Sequence, residues 1–361
     1  MAPVILAMKA NPAFNVSVCV TAQHRHMLDQ VLDLFQITPD IDLDIMKFKQ
    51  DLTDITTSIL TNLKSILIER RPDLVLVHGD TTTTLAASLA TFYQKIPVAH
   101  VEAGLRTGDI YAPWPEEMNR SLVGKIASLH FAPTETAKSS LLKEGVSPQR
   151  IVVTGNTVID ALFEIIKKIE TNSTLSADFD LQFNYLDPSK KLIVVTGHRR
   201  ENFGDGFENI CQALYSLSQR EDVQIIYPVH LNPAVQEPVK RILGKAKNIF
   251  LIEPLDYLPF VYLMSRSYFL ITDSGGVQEE APSLGKPVLV MRDVTERPEA
   301  VLAGTVKLVG AHYESIVSAA NQLLDDEQIY NKMAQAINPY GDGMASSRIV
   351  QSISEWAQAH V

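Results

Sequence analysis

Apolar residues recur along this chain in two rhythms. Short continuous runs alternate with longer stretches whose apolar positions return at helical spacing. In the first half, Leu74–His78 (LVLVH), Val98–Val101, His130–Ala132 and Ile151–Thr154 read as buried strands. Asn15–Thr21 (NVSVCVT) alternates and is β-rich, so it is a further predicted strand. Met1–Lys9 reads as a helix with Pro3 in its first turn. Asp51–Arg70 carries Leu52, Ile55, Ile59, Leu63 and Ile66 on one face and ends near Pro72; Thr82–Tyr93 is an Ala- and Leu-rich helix. In the second half, Leu192–Thr196, Gln224–Val229, Ile249–Ile252, Tyr268–Thr272 and Val288–Met291 are predicted strands, with Thr305–Val309 a shorter candidate. Strands alternating with helices imply parallel sheets covered on both faces.

The rhythm breaks at Thr171–Lys191, which is polar and ends in an Asp-Pro-Ser turn. The pattern therefore predicts two Rossmann-like α/β domains, 1–170 and 190–340. The segment 341–361 is expected to form a helix, roughly Ser346–Ala359, that packs back on the first domain. Ligands of such sheets bind outside the strand C-termini. Two domains of this kind facing each other would place a ligand in the cleft between them.

Composition narrows the picture. With 361 residues, 46% hydrophobic and 20% charged, the chain matches a soluble globular protein of about two domains. A net charge of −10 argues against a nucleic-acid surface. The two cysteines, Cys19 and Cys211, lie in apolar surroundings and read as buried, reduced thiols. No apolar run reaches membrane-spanning length, and MAPVILAMKANP lacks the parts of a signal peptide. A cytoplasmic protein without membrane contact is expected.

Unusual polar clusters fall just after predicted strands. Ile271–Arg297 is the most informative stretch: a strand, then Asp273, Ser274, Gly275 and Gly276, then a helix over Val277–Leu284 stopped by Gly285. Adjacent glycines let an anion approach free backbone N–H groups at a helix start. The stretch reads as a nucleotide diphosphate cradle, with Glu279 and Glu280 placed to accept from ribose hydroxyls. The plain alternative is a tight βα turn in which glycine serves only a strained backbone. Asp80 follows the Leu74 strand and reads either as a functional carboxylate or as N-cap of the Thr82 helix. Glu102 ends a strand before Ala-Gly and has no capping role to fill. Glu116 and Glu117 follow Pro115 at a helix start, where acids also favour the dipole. His198 precedes Arg199, Arg200 and Glu201 and faces an anion or a reacting group; the arginines pair with Glu201 or with carboxylates across the cleft. Trp114 reads as packing. These acids and the histidine suit general acid–base work. No Gly-x-Ser-x-Gly elbow, Walker lysine loop or zinc-ligand pair occurs, and no spacing demands magnesium, so neither metal nor cofactor is expected.

HGDTTTTLA (His78 to Ala86), HVEAGLRTGD (His100 to Asp109), PWPEEMNR (Pro113 to Arg120), TGNTVIDAL (Thr154 to Leu162), TGHRRENFG (Thr196 to Gly204), YPVHLNP (Tyr227 to Pro233) and the stretch Thr272 to Ala300 resemble the non-hydrolysing UDP-N-acetylglucosamine 2-epimerases of bacteria. The resemblance spans nearly the whole chain. It implies two domains of glycosyltransferase-B type and reversible conversion of UDP-N-acetylglucosamine to UDP-N-acetylmannosamine, without cofactor, for surface polysaccharide. The implied route is loss of UDP to 2-acetamidoglucal and re-addition. By resemblance, Asp80, Glu102 and Glu116 form the acid–base set, with their division between the two faces of C2 open. His198 serves the leaving diphosphate. Ser274, Gly275, Gly276 and Arg297 match phosphate-binding positions, Glu280 the ribose and Phe260 the uracil. Gln23, Gln50, Glu116, Arg199 and His230 match a region where family members bind a second UDP-sugar as activator. His26 and Lys49 stand there in place of Gln and Arg. A homodimer is implied.

The chain departs from the family at its start. It opens at what resembles the family's first helix, without the preceding strand and Gly-Thr-Arg-Pro-Glu loop, whose arginine faces the diphosphate. A truncated start and low activity are the expectation. Alternatives are a hydrolysing epimerase yielding N-acetylmannosamine and UDP, a glycosyltransferase of the same fold, and a catalytically impaired UDP-sugar binder.

Overall fold

A computed structural model describes residues 1–23 and 25–360. The chain forms two compact units, Met1–Ala161 with Tyr340–Val361, and Leu162–Pro339. Among the described residues, no helix is long and apolar enough to cross a membrane.

The first unit begins with α1 (Ala2–Lys9), β1 (Cys19–Val20), α2 (Arg25–Leu34) and β2 (Ile41–Asp42). It continues through α3 (Leu52–Arg70), β3 (Val75–His78), α4 (Thr82–Tyr93) and β4 (Val98–Val101). Then come α5 (Glu116–Ile126), β5 (Leu129–Ala132), α6 (Glu135–Lys143), β6 (Ile151–Val153) and the start of α7 (Thr157–Thr171). Strands β3-β4-β5-β6 form a parallel sheet in that order. All residues of β4 and β5 are buried, as expected for strands covered on both faces. The predicted strand Asn15–Thr21 shortens to two residues, because its partner among the described residues is the equally short β2. It also exposes Cys19, correcting the expectation of a buried thiol: in β1 Val20 takes the inner face and Cys19 the outer.

Local chemistry sets the helix ends. Asp51 is not in α3 but caps it: its carboxylate accepts from Asp54 N at 2.9 Å, and Asp54 accepts from Asp51 N at 3.0 Å. A cap of this kind is worth about 1 kcal/mol. At α4 the cap is Thr81, whose Oγ1 accepts from Thr84 N at 3.3 Å. Asp80 therefore does not fill the capping role considered for it.

The last helix, α16 (Ala345–His360), belongs to the first unit. Its Ile349 and Ile353 join Val4, Ala99, Val101, Leu129 and Phe131 in one core cluster. The Asp160 carboxylate accepts from Ala345 N (3.1 Å) and Ser346 N (2.7 Å), which satisfies the free N–H groups at the start of α16.

The second unit holds α8 (Ser173–Gln182), β7 (Lys191–Thr196), α9 (Asp205–Leu217), β8 (Val223–Pro228), α10 (Pro233–Leu243) and β9 (Ile249–Ile252). It then holds α11 (Tyr257–Arg266), β10 (Phe269–Thr272), α12 (Gly275–Glu280), β11 (Val288–Val290), α13 (Pro298–Ala303), β12 (Val306–Leu308), α14 (Tyr313–Asp325) and α15 (Glu327–Ala334). The stretch 171–191, read as a polar boundary, contains the helix α8; the two units divide instead inside α7. Contacts explain this: Phe179 and Phe183 pack on Tyr262 of α11 with ring centroids 5.1 and 5.7 Å away.

The six strands of this unit are parallel, in the order β12-β11-β10-β7-β8-β9. The chain builds outward from β7 on one side and from β10 on the other. The topological switch point therefore lies between β7 and β10, where open α/β sheets bind ligands.

Candidate functional site

The switch point of the second unit brings Thr196 opposite Thr272. Just beyond, the chain ends of β7 and β10 place His198 beside Asp273. Asp273 is fully buried. Its Oδ2 accepts from His198 N and Arg199 N, each at 2.8 Å, and Oδ1 lies 3.4 Å from His198 Nδ1. The His198 ring stacks on His230, centroids 5.5 Å apart, and remains 45% exposed at its side chain.

Ser274 precedes α12 without capping it, and its hydroxyl has no partner among the described residues. Gly275 and Gly276 are helical and lack positive φ, so the strained-turn reading of these glycines fails. Within the protein a Cβ at either position would meet only ordinary contacts. A Cβ on Gly275 would lie 3.7 Å from Arg297 Nη2; one on Gly276 would lie 3.9 Å from Glu280 Oε2 and 4.0 Å from Ser274 Oγ. A guanidinium, a hydroxyl and a carboxyl thus surround bare backbone, an arrangement suited to an anion with a hydroxylated neighbour.

The two glutamates that follow divide their work. Glu279 is buried and paired to Arg297, so it orients that guanidinium. Glu280 accepts from Tyr257 Oη at 2.5 Å. Burial pushes its carboxyl up to about 7, opposed by the Tyr257 hydrogen bond and reinforced by the Glu279 charge. Phe260 stands one turn beyond Tyr257 in α11 and is half-buried. Glu201, expected to pair with Arg199 or Arg200, instead binds Arg292 at 2.6 Å.

In the first unit, β3 and β4 end side by side, with His78 opposite Val101. Asp80 and Glu102 follow directly. Arg120 from α5 reaches Asp80 at 2.6 Å and Glu117 at 3.2 Å. Glu102 sits at φ +64°, a left-handed conformation that costs a bulky residue roughly 1–3 kcal/mol. His78 Nε2 lies 3.4 Å from its carboxylate. Desolvation holds the His78 imidazole well below its ordinary value, so it meets Glu102 as a neutral hydrogen-bonding group.

The neighbouring acids of α5 also separate. Glu117 is buried and accepts from Thr107 N and Gly108 N at 3.1 Å each, which anchors the loop. Glu116 is half-buried and has no hydrogen-bond or ion-pair partner among the described residues. Trp114, expected to pack, is 63% exposed, because the loop before α5 carries it out into solvent.

A family model for UDP-N-acetylglucosamine 2-epimerase matches residues 6–354. The UDP-N-acetylglucosamine 2-epimerase of Escherichia coli K12 is 60% identical over 354 residues, covering 98% of this chain and 94% of that protein. The chain belongs to the UDP-N-acetylglucosamine 2-epimerase family. The family's Neisseria meningitidis enzyme, solved bound to UDP-GlcNAc, superposes with TM-score 0.89 at 52% identity, covering 98% of this chain and 96% of that one. The Methanocaldococcus jannaschii enzyme, solved with UDP-GlcNAc and UDP, gives TM-score 0.77 at 34% identity, over 98% and 95%. The expected fold class, α/β with parallel sheets of glycosyltransferase-B type, is the fold of these relatives.

Family membership directs attention to the residues matched to a second sugar nucleotide. Gln23 Oε1 accepts from Thr83 Oγ1 at 2.9 Å, beside the start of α4. Gln50 Oε1 accepts from Lys47 N at 3.0 Å and shapes the loop before α3. His230 accepts from Asn232 N through Nδ1, at 3.1 Å. Arg199 has a buried Nε without a hydrogen-bond partner.

His78, Arg120, Tyr257 and Asp273 were not read as site residues from sequence. His78 and Asp273 carried a usable signal, since each stands at a strand end next to a residue that was read. Arg120 and Tyr257 carried none, because only the fold brings them to Asp80 and Glu280.

Proposed function

We propose that this protein interconverts UDP-N-acetylglucosamine and UDP-N-acetylmannosamine by the non-hydrolysing route. The observation that carries the reading is the carboxylate pair Asp80 and Glu102 at the ends of neighbouring strands, with Glu102 kept in a strained conformation. Family membership and the binding of UDP-GlcNAc by the Neisseria relative support it.

The second unit handles the nucleotide. Ser274, Gly275, Gly276 and Arg297 take the diphosphate, Glu280 the ribose, and Phe260 lies by the uracil. The first unit supplies the acid–base groups Asp80, Glu102 and Glu116. A carboxylate removes the C2 proton as the C1–O bond to UDP breaks. The C–H electrons become the C1=C2 double bond of 2-acetamidoglucal, and UDP leaves with the C1–O pair. His198 stabilises the charge that develops on the departing diphosphate. A carboxylic acid then delivers a proton to the opposite face of C2, and the UDP oxygen re-forms its bond to C1. A second UDP-N-acetylglucosamine acts as activator through Gln23, Gln50, Glu116, Arg199 and His230. The working form is a homodimer in the cytoplasm, and the product feeds surface polysaccharide.

Incubation with UDP-N-acetylglucosamine in heavy water tests the mechanism. Deuterium at C2 of both recovered UDP-sugars is expected. Unlabelled epimer would rule out proton exchange at C2. Accumulation of UDP with free N-acetylmannosamine would instead establish the hydrolysing reaction, and tight binding without exchange an impaired binder.

A further inference from the structure

We propose that Asp273 is a positioning residue that holds His198 with Nδ1–H toward its own carboxylate, so that Nε2 is the atom presented to the departing diphosphate. The inference rests on the role given to His198 above. Asp273 is the first residue beyond β10, and its side chain is wholly buried. Burying a carboxylate is costly unless donors surround it. Oδ2 has three: the backbone N–H groups of His198 and Arg199 at 2.8 Å, and Asn202 Nδ2 at 3.4 Å. Oδ1 is buried and lacks a hydrogen bond in this geometry. His198 Nδ1, 3.4 Å away, is the polar atom placed to supply one. A modest closing of that distance, of the kind that accompanies substrate binding, satisfies the last lone pairs of the carboxylate.

Asp273 is the carboxylate nearest the His198 ring, and His230 stacks on its face. Nearby His230 has Nδ1 occupied by the Asn232 N–H, so its ring stacks on His198 without exchanging hydrogen bonds through that atom. Asn202 is itself fixed by donation to Met291 O at 3.1 Å, which keeps the floor of the turn rigid. The same two backbone bonds that fix the His198 main chain therefore leave the second carboxylate oxygen 3.4 Å from Nδ1. A carboxylate in this position sets the tautomer of a neutral imidazole and stabilises an imidazolium. In the imidazolium, the form that donates to a diphosphate, Nε2–H is directed away from Asp273; in the neutral Nδ1–H form Nε2 carries the lone pair that takes up that proton.

Asp273→Asn separates positioning from simple structural support. An asparagine oxygen still accepts from both backbone N–H groups, while its NH2 faces Nδ1 and favours the opposite tautomer. We expect kcat to fall at least tenfold with KM changed less than threefold. Nitrogen-15 NMR of labelled His198, assigned by loss of its signal in His198→Asn, should show protonated Nδ1 in the wild type and unprotonated Nδ1 in Asp273→Asn. In the His198→Asn background, Asp273→Asn should lower kcat by less than a further twofold. Unprotonated Nδ1 in the wild type, or independent multiplication of the two losses, overturns the inference. The wild-type spectrum decides the tautomer even if the variant fails to fold. Full epimerisation by His198→Asn would refute the catalytic role of His198 itself, an outcome separate from the tautomer result.

Discussion

Glu280 offers a quantitative test of the nucleotide pocket. The carboxyl is buried, accepts one hydrogen bond from Tyr257 and lies beside the Glu279 charge, and burial carries it from 4.5 to about 7. A displacement of one pH unit corresponds to about 1.4 kcal/mol, so holding Glu280 ionised above pH 7 costs the free protein up to about 3 kcal/mol. The sign follows from proton binding. Below the unfolded value of 4.5 both states are protonated and the group has no effect. Between 4.5 and about 7 the folded state binds more protons, so stability falls as pH rises; above about 7 the loss is complete. Glu280→Gln keeps an oxygen for Tyr257 and removes the charge. The variant should match the wild type near pH 4.5 and gain on it through pH 7. Its advantage should reach roughly 6–12 °C in Tm at pH 8, taking about 2–4 °C per kcal/mol for a unit of this size. Its affinity for UDP should fall about tenfold at pH 8, because a charge-assisted bond to ribose becomes a neutral one. Scanning calorimetry across this pH range and isothermal titration with UDP give both numbers. A Tm difference that is the same at pH 5 and pH 8, or absent at both, refutes the ionisation argument. Unchanged UDP affinity removes Glu280 from the ribose.

Three other outcomes follow from the same structure. Burial depresses His100 to about 4 and His130 to about 3, so their neutral forms stabilise the fold above the unfolded value of 6.5 and that contribution is lost as pH falls toward these values; Tm of His130→Leu should decline less steeply over this window. Glu117→Ala leaves Thr107 N, Gly108 N and the Arg120 guanidinium short of a buried partner and should cost about 3–5 kcal/mol by denaturant titration, with activity lost through the displaced loop. Gly104 has φ +92° and its missing Cβ would overlap the Ala137 carbonyl, so Gly104→Ala should lower stability by roughly 1–3 kcal/mol in the same assay, and no loss there would mean that α6 yields.

Much of the architecture was legible in the pattern of residues. Strands such as Ile249–Ile252 and Val98–Val101 were delimited correctly because buried parallel strands need continuous apolar runs. The predicted strand Asn15–Thr21 was too long because pairing, which sets strand length, depends on a partner elsewhere in the chain. The helix α8 was missed since its sequence is mostly polar, and it is held by Phe179 and Phe183 against α11. At the site, Asp80, Glu102, His198 and the Ser-Gly-Gly turn stood out because polar residues at strand ends have no core to join.

The sequence by itself determined the α/β class, the strands that carry the chemistry, and the residue types at their ends, because periodicity and turn chemistry are local. Tertiary structure decided what each acid does. Glu116 and Glu117 are adjacent and chemically identical, yet one side chain is uncommitted and the other anchors a loop. Glu279 and Glu280 differ in the same way, one locked to Arg297 and the other protonating near neutrality. The glycines between Ser274 and these acids are helical, and what borders their bare backbone is decided by where Arg297 and Glu280 arrive. A carboxylate's role is set by its donors and its exposure, and those come from residues distant in the chain that only folding brings within reach.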